Sequence, residues 1–158
     1  HRVISNPLSD DEYKNVNRII FCSGKIYFEL QDHINELQLK NVYIIRLEQL
    51  YPFPYEALNE GIKKFNHCEM IWCQEEPKNM GAWEFIEKRL KSVLDLVGAK
   101  NELHFIGRRA AASPATGVFD RHLANQKNII RLATEANIDE IEKEKSGVSL
   151  VKYKLPIE

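Results

Sequence analysis

A chain of 158 residues, 44% of them hydrophobic and 28% charged, has room for one α/β domain with a real core but not for two large ones. Its 22 lysines and arginines nearly balance 23 aspartates and glutamates, so no net field favours nucleic acid or an anionic membrane. No apolar run approaches bilayer-spanning length and no secretory signal pattern is present, while a start at His1 rather than Met points to a processed or excised piece.

Residues 1–17 are polar, with Pro7, Ser9, Asp10 and Asp11 in a loop and helix cap, and read as a linker entering the domain. Arg18–Gly24 (RIIFCSG) is a short apolar run closed by a turn signal, which predicts a buried first strand. Ser23-Gly24-Lys25 lacks the further glycines and the Lys-Ser/Thr ending of a Walker loop, so a plain strand-to-helix turn is preferred to a phosphate cradle. The helix that follows presents Tyr27, Leu30, Ile34 and Leu37 on one face. Val42–Leu47 is the second strand, and two prolines in Glu48–Pro54 stiffen the entry to a helix burying Tyr55, Leu58, Ile62 and Phe65.

The stretch from Met70 to Ile86 organises the rest. Four apolar residues suit a buried parallel strand, and Gln74, Glu75 and Glu76 fall at its C-terminal end, the edge where open α/β sheets bind or dock. Pro77 ends the ladder, Asn79 is placed to cap the next helix, and Gly81-Ala82 let that helix approach closely. Trp83, Ile86, Leu90, Val93, Leu94 and Val97 form its apolar stripe. Leu103–Ile106 is the fourth strand, followed by Gly107-Arg108-Arg109, a small-residue run from Ala110 to Gly117, and a last helix with Phe119, Leu123, Ile130 and Ala133 in register.

Strands alternating with helices predict a three-layer αβα fold over residues 18–136, with a mostly parallel sheet of four or five strands and right-handed crossovers. Residues 137–158 form a charged tail. A short helix over Ile138–Lys145 ends at Ser146-Gly147, and Val148–Leu155 is open to two readings, an edge strand or an extended segment on a neighbouring domain.

No nucleophile elbow, HExxH or GxGxxG is present, so the chain offers no catalytic and no cofactor-binding residue. Cys22, Cys68 and Cys73 read as buried reduced thiols in a reducing compartment, and five scattered histidines do not propose a metal site. Glu75 and Glu76 point opposite ways from a strand end and read as structural carboxylates at an inter-domain edge. Trp72 and Trp83 read as core or interface aromatics, and His122 as a surface or interface residue. Arg108-Arg109 ahead of Ser113 makes either an anion pocket or an inter-domain salt bridge.

Four segments carry a family likeness in order and spacing: RIIFCSGKIY (18–27), RLEQLYPFP (46–54), WCQEEPKNMGAW (72–83) and GRRAAASPATG (107–117). Together they resemble the C-terminal domain of the thiamine-diphosphate-dependent first component of the 2-oxoglutarate dehydrogenase complex, a transketolase C-terminal-like domain. The third segment is shared with 2-oxoadipate dehydrogenase, whereas Arg109-Ala110-Ala111 stands where the family often reads Pro-Ala-Ser.

The resemblance implies a parent enzyme that oxidatively decarboxylates 2-oxoglutarate, with thiamine diphosphate and Mg²⁺ on domains outside this chain. The succinyl group would pass to a lipoyl-bearing succinyltransferase of the tricarboxylic acid cycle. The domain itself would pack on the rest of the enzyme, help form a homodimer, and border a regulatory nucleotide or acetyl-CoA site. Arg108, Arg109 and Ser113 are the candidates for that site, and Gln74, Glu75, Glu76, Asn79 and Trp83 for the packing interface. The alternatives are a free-standing module for adenine nucleotides or acyl-CoA, and the same domain of 2-oxoadipate dehydrogenase. Bacterial cytoplasm and mitochondrial matrix both fit.

Overall fold

The computed structural model describes residues 2–113 and 119–143. The chain runs β1 (Val3–Ile4), α1 (Asp10–Asn15), β2 (Arg18–Cys22), α2 (Ile26–Glu36), β3 (Val42–Leu47) and α3 (Tyr55–Ile62) with a 3-10 turn over Lys63–Phe65. It continues through β4 (Glu69–Pro77), α4 (Trp83–Leu96), β5 (Leu103–Arg108), α5 (Phe119–Thr134) and α6 (Ile138–Lys143). The strands form one sheet in the order β1-β3-β2-β4-β5, parallel except for β1. This is the three-layer, mostly parallel arrangement that alternating strands and helices predict.

Each central strand is apolar on both sides because helices cover both faces. Along β2, Ile19 and Phe21 face α3 and α4 together with Tyr43, Ile45, Met70 and Trp72. Ile20 and Cys22 face α2 and α5 with Ile44, Ile71, Cys73 and Ile106. The stripe on α4 falls as its spacing requires, with Trp83, Ile86, Leu90, Val93 and Leu94 all buried.

The stretch expected as a linker carries structure of its own. Val3 and Ile4 pair antiparallel with Leu47 and Arg46. Ser9 caps α1 reciprocally: its N–H donates to the Glu12 carboxylate at 2.8 Å and its hydroxyl accepts from the Glu12 N–H. Two residues are too few to show a strand period, so β1 did not announce itself; α1, a one-and-a-half-turn helix with one large apolar residue, shows no stripe and was signalled only by the cap read at Ser9–Asp11.

Three helix faces also differ from their predicted registers. Leu37 and Tyr55 are exposed, and α5 buries Ile129, Leu132 and Ala133 while leaving Phe119 and Leu123 in solvent. Ser146-Gly147, Val148–Leu155 and the whole of Pro114–Gly117 lie outside the described residues.

The close approach expected at Gly81 is present. With φ +66°, a Cβ there would stand 3.1 Å from Gln74 Nε2, Glu76 Cβ and Glu76 Oε2. Gly81→Ala is expected to cost about 1–2 kcal/mol from the left-handed backbone alone, read as a lowered urea midpoint.

All three cysteines are buried and free. Burial pushes the Cys22 thiol up to about 12 and that of Cys68 to about 11, and raises Cys73 as well. Such thiols are almost never thiolates and act as small hydrophobes.

Candidate functional site

The C-terminal edge of the sheet gathers most of the residues singled out in the sequence. Side chains alternate along β4, so Trp72 and Gln74 point to the α3/α4 side while Cys73 and Glu75 point to the α2/α5 side. Gln74 is 3% exposed and every polar capacity it has is used. Its Oε1 accepts from Trp72 Nε1 at 2.9 Å and from the Trp83 N–H at 3.1 Å. Its Nε2 donates to the carbonyls of Met80 (2.8 Å), Pro77 (3.1 Å) and Glu76 (3.3 Å). One amide thus ties the end of β4, the turn and the first residue of α4 together.

That arrangement corrects the role expected for Asn79. The helix opens at Trp83, whose N–H is satisfied by Gln74, and Asn79 makes no cap. Asn79 instead pins the loop after β5: its Nδ2 donates to the Ala111 carbonyl and its Oδ1 accepts from the Ala111 N–H, both at 3.0 Å. Gln74 and Trp83 face their own domain's interior, whereas Glu76 and Asn79 are at the surface and Glu75 is half-buried.

On the other side of the sheet a chain of polar contacts joins β5, α5, α2 and β4. Arg108, 8% exposed, donates from Nη2 to Gln126 Oε1 at 3.0 Å and to His122 Nδ1 at 3.3 Å. The second bond requires His122 Nδ1 to carry no proton. Gln126 Nε2 donates to Glu29 Oε2 at 2.9 Å, and Lys25 pairs with Glu29 at 2.6 Å and with Glu75 at 3.6 Å. The Arg108 Nε and the Asn125 Oδ1 are buried without a hydrogen-bond partner among the described residues. Arg109 and Ser113 are exposed on the loop that Asn79 holds.

Charge settles this chain. Burial pushes the Glu29 carboxyl up, but hydrogen bonds from Lys25 and Gln126 outweigh it and hold the group below its usual range. The Glu29 hydrogen bond, and then the Glu75 charge, raise the Lys25 ammonium. Because the folded-state value of Glu29 is depressed, its contribution is complete above the unfolded value and fades as pH falls through the folded one. Stability is therefore expected to decline below about pH 5, and Glu29→Gln to flatten that decline in urea midpoints measured against pH.

The sequence reading missed Glu29 and Gln126. Glu29 lies four residues after Lys25, a helical pairing readable in the sequence, but nothing local joins Gln126 to either. Among the described residues no three His, Cys, Asp or Glu converge to hold a metal ion, and no helix is long and apolar enough to cross a membrane. What the edge offers is a buried guanidinium beside a small-residue loop, chemistry suited to an anion.

Comparison with known sequences agrees with this placement. Proteins named 2-oxoglutarate dehydrogenase E1 component from Brucella anthropi, Brucella ovis and Brucella melitensis are 50% identical over 110 residues. The match covers 69% of this chain and 11% of each relative. The profile of the 2-oxoglutarate dehydrogenase C-terminal family matches residues 1–134, and the chain belongs to that family.

Proposed function

We propose that this chain supports a reaction carried out elsewhere in a larger polypeptide, as the C-terminal domain of a 2-oxoglutarate dehydrogenase first component. The supported reaction is the oxidative decarboxylation of 2-oxoglutarate, with transfer of the succinyl group to the lipoyl arm of a succinyltransferase. Thiamine diphosphate and Mg²⁺, when bound by the other domains, supply the carbanion chemistry. Among the described residues of this chain no three His, Cys, Asp or Glu converge to hold a metal ion. No step of the reaction is assigned to them.

The domain's own contribution is to organise the homodimer and to answer to an anionic regulator, an adenine nucleotide or acetyl-CoA. One observation carries the regulatory part. Arg108 holds a positive charge at the C-terminal end of β5, where its hydrogen-bond partners among the described residues are the Gln126 amide and the His122 ring, neither a carboxylate. Arg109 and Ser113 flank it on the loop fixed by Asn79. Bacterial relatives favour the cytoplasm as the location, and the three free thiols suit a reducing compartment.

Calorimetric titration of the complete polypeptide with AMP and with acetyl-CoA tests the assignment. Binding weakened about tenfold or more by Arg108→Met is the expected result, the usual scale for losing a charge-assisted contact. Equal affinity in the two proteins would overturn the regulatory role. Comparison of 2-oxoglutarate with 2-oxoadipate as substrate distinguishes the two dehydrogenases.

A further inference from the structure

The two lateral edges of the sheet are finished differently. A bare edge strand is a template for another strand, and proteins blunt it by shortening it, charging it, breaking it with proline or covering it. Strand β1 ends one side of the sheet and is two residues long. Strand β5 ends the other with six, Leu103–Arg108, and among them is no proline, lysine or acid. Arg108 is turned inward to α5, and the irregularity in the β4–β5 pair falls between Cys73 and Pro77, on β4. Among the described residues no strand pairs with the outer side of β5. Leu103, His104 and Phe105 are only half-buried there.

A hollow of about 210 Å³ wraps around that outer side. Trp83 and Phe105 line it from the α4 face, Ile141 from the α5 face, and Glu102, Leu103 and His104 from the strand between. Helix α6 therefore brings the chain to the first half of β5, and it ends just beyond Ile141, at Lys143. Residues 144–158 follow, outside the described residues and outside the 1–134 that the family profile matches. Within them 148–155 reads Val-Ser-Leu-Val-Lys-Tyr-Lys-Leu, without a break between Gly147 and Pro156 and long enough to match all of β5.

We infer that 148–155 is a sixth strand added to the outer side of β5, with Val151, Tyr153 and Leu155 on the same side as Leu103, Phe105 and Trp83. Handedness sets its direction. Helices α3 and α4, on one face, carry the chain toward β5, whereas α2, on the other, carries it from β2 toward β1. Helix α5 packs on the α2 face, so a parallel crossover of the same hand would arrive on the side of β5 that β4 fills. The added strand runs antiparallel to β5. To begin opposite Arg108, the chain must climb from the height of His104, about 13 Å at the usual strand rise. The peptide steps from Lys143 to Val148 reach about 17 Å, so the connection suffices. The outward N–H and C=O groups of β5 gain partners, the hollow beside Phe105 fills, and the edge is closed to pairing with another copy. None of this depends on the dehydrogenase reading.

Hydrogen exchange in the complete polypeptide, read by mass spectrometry on peptides covering Leu103–Arg108, tests it. The unaltered protein is compared with one ended after Lys143 and with the double variant Val151→Pro, Lys152→Pro. Of two successive residues in a strand one turns its N–H to β5, so the prolines break the ladder while keeping the length. The expected result is exchange of the β5 amides faster by about tenfold or more in both altered proteins, with β2 unchanged and 148–155 itself protected in the unaltered one. Equal exchange of β5 in all three would overturn the assignment. Protection of 148–155 without any of β5 would place the tail on another domain and overturn it as well. So would protection that is lost on dilution, which assigns the tail to a second copy, or a loss spread equally to β2, which makes the tail a support of the whole domain rather than of this edge.

Discussion

Gln74→Leu is expected to lower the unfolding free energy by about 3 kcal/mol, with a matching fall in the urea midpoint. The apolar replacement fills the space but strands the Trp72 indole N–H and the first amide of α4, both buried, along with the carbonyls of Pro77 and Met80. Gln74→Glu separates volume from hydrogen bonding. A carboxylate keeps both acceptor contacts but faces three carbonyls to which the neutral amide NH2 of Gln74 now donates. The deficit of this variant relative to the unsubstituted protein should be larger at pH 7 than near about pH 4, where a buried carboxyl carries its proton. An unchanged midpoint in Gln74→Leu would mean that the turn between β4 and α4 is held by something other than this amide.

Arg18→Met should be comparably damaging, by about 3 kcal/mol. Arg18 is 6% exposed at the start of β2 and reaches across to the end of α5, where its guanidinium donates to the carbonyls of Ala133 (3.2 Å) and Ala136. The same group holds Glu69 on the neighbouring strand at 2.8 and 2.6 Å. Removing it leaves a part-buried carboxylate unpaired and two helix-end carbonyls unserved. The double variant Arg18→Met with Glu69→Leu should regain part of the loss, since it removes the stranded charge. Hydrogen exchange should quicken first in the last turn of α5. A double variant no better than the single one would place the cost in the carbonyls alone.

Much of this fold could be read in the sequence because its strands are buried on both faces. Runs such as Ile19-Ile20-Phe21-Cys22 and Met70-Ile71-Trp72-Cys73 are apolar without interruption, and α4 carries a full stripe. Elements whose placement depends on distant partners were harder. Strand β1 exists because Leu47 and Arg46 accept it, not because two residues favour extension. Asn79 has the chemistry of a helix cap, but Gln74 reaches the same amide from inside the sheet, so the local rule lost to a tertiary contact.

The difference between Arg108 and Arg109 was readable in part. Strand period two puts Arg108 on the same side as Ile106, toward α5, once the strand is extended to Arg108. Ending the strand at Ile106 concealed this. The partners of Arg108 come from 14 and 18 residues downstream, and no pattern near Arg108 points to them.

The view that this chain scaffolds a reaction centre outside itself is tested most directly by turnover. With 2-oxoglutarate, thiamine diphosphate, Mg²⁺ and an artificial electron acceptor, the complete polypeptide should be active and the isolated chain should be silent. Sustained reduction of the acceptor by the isolated chain would contradict the account.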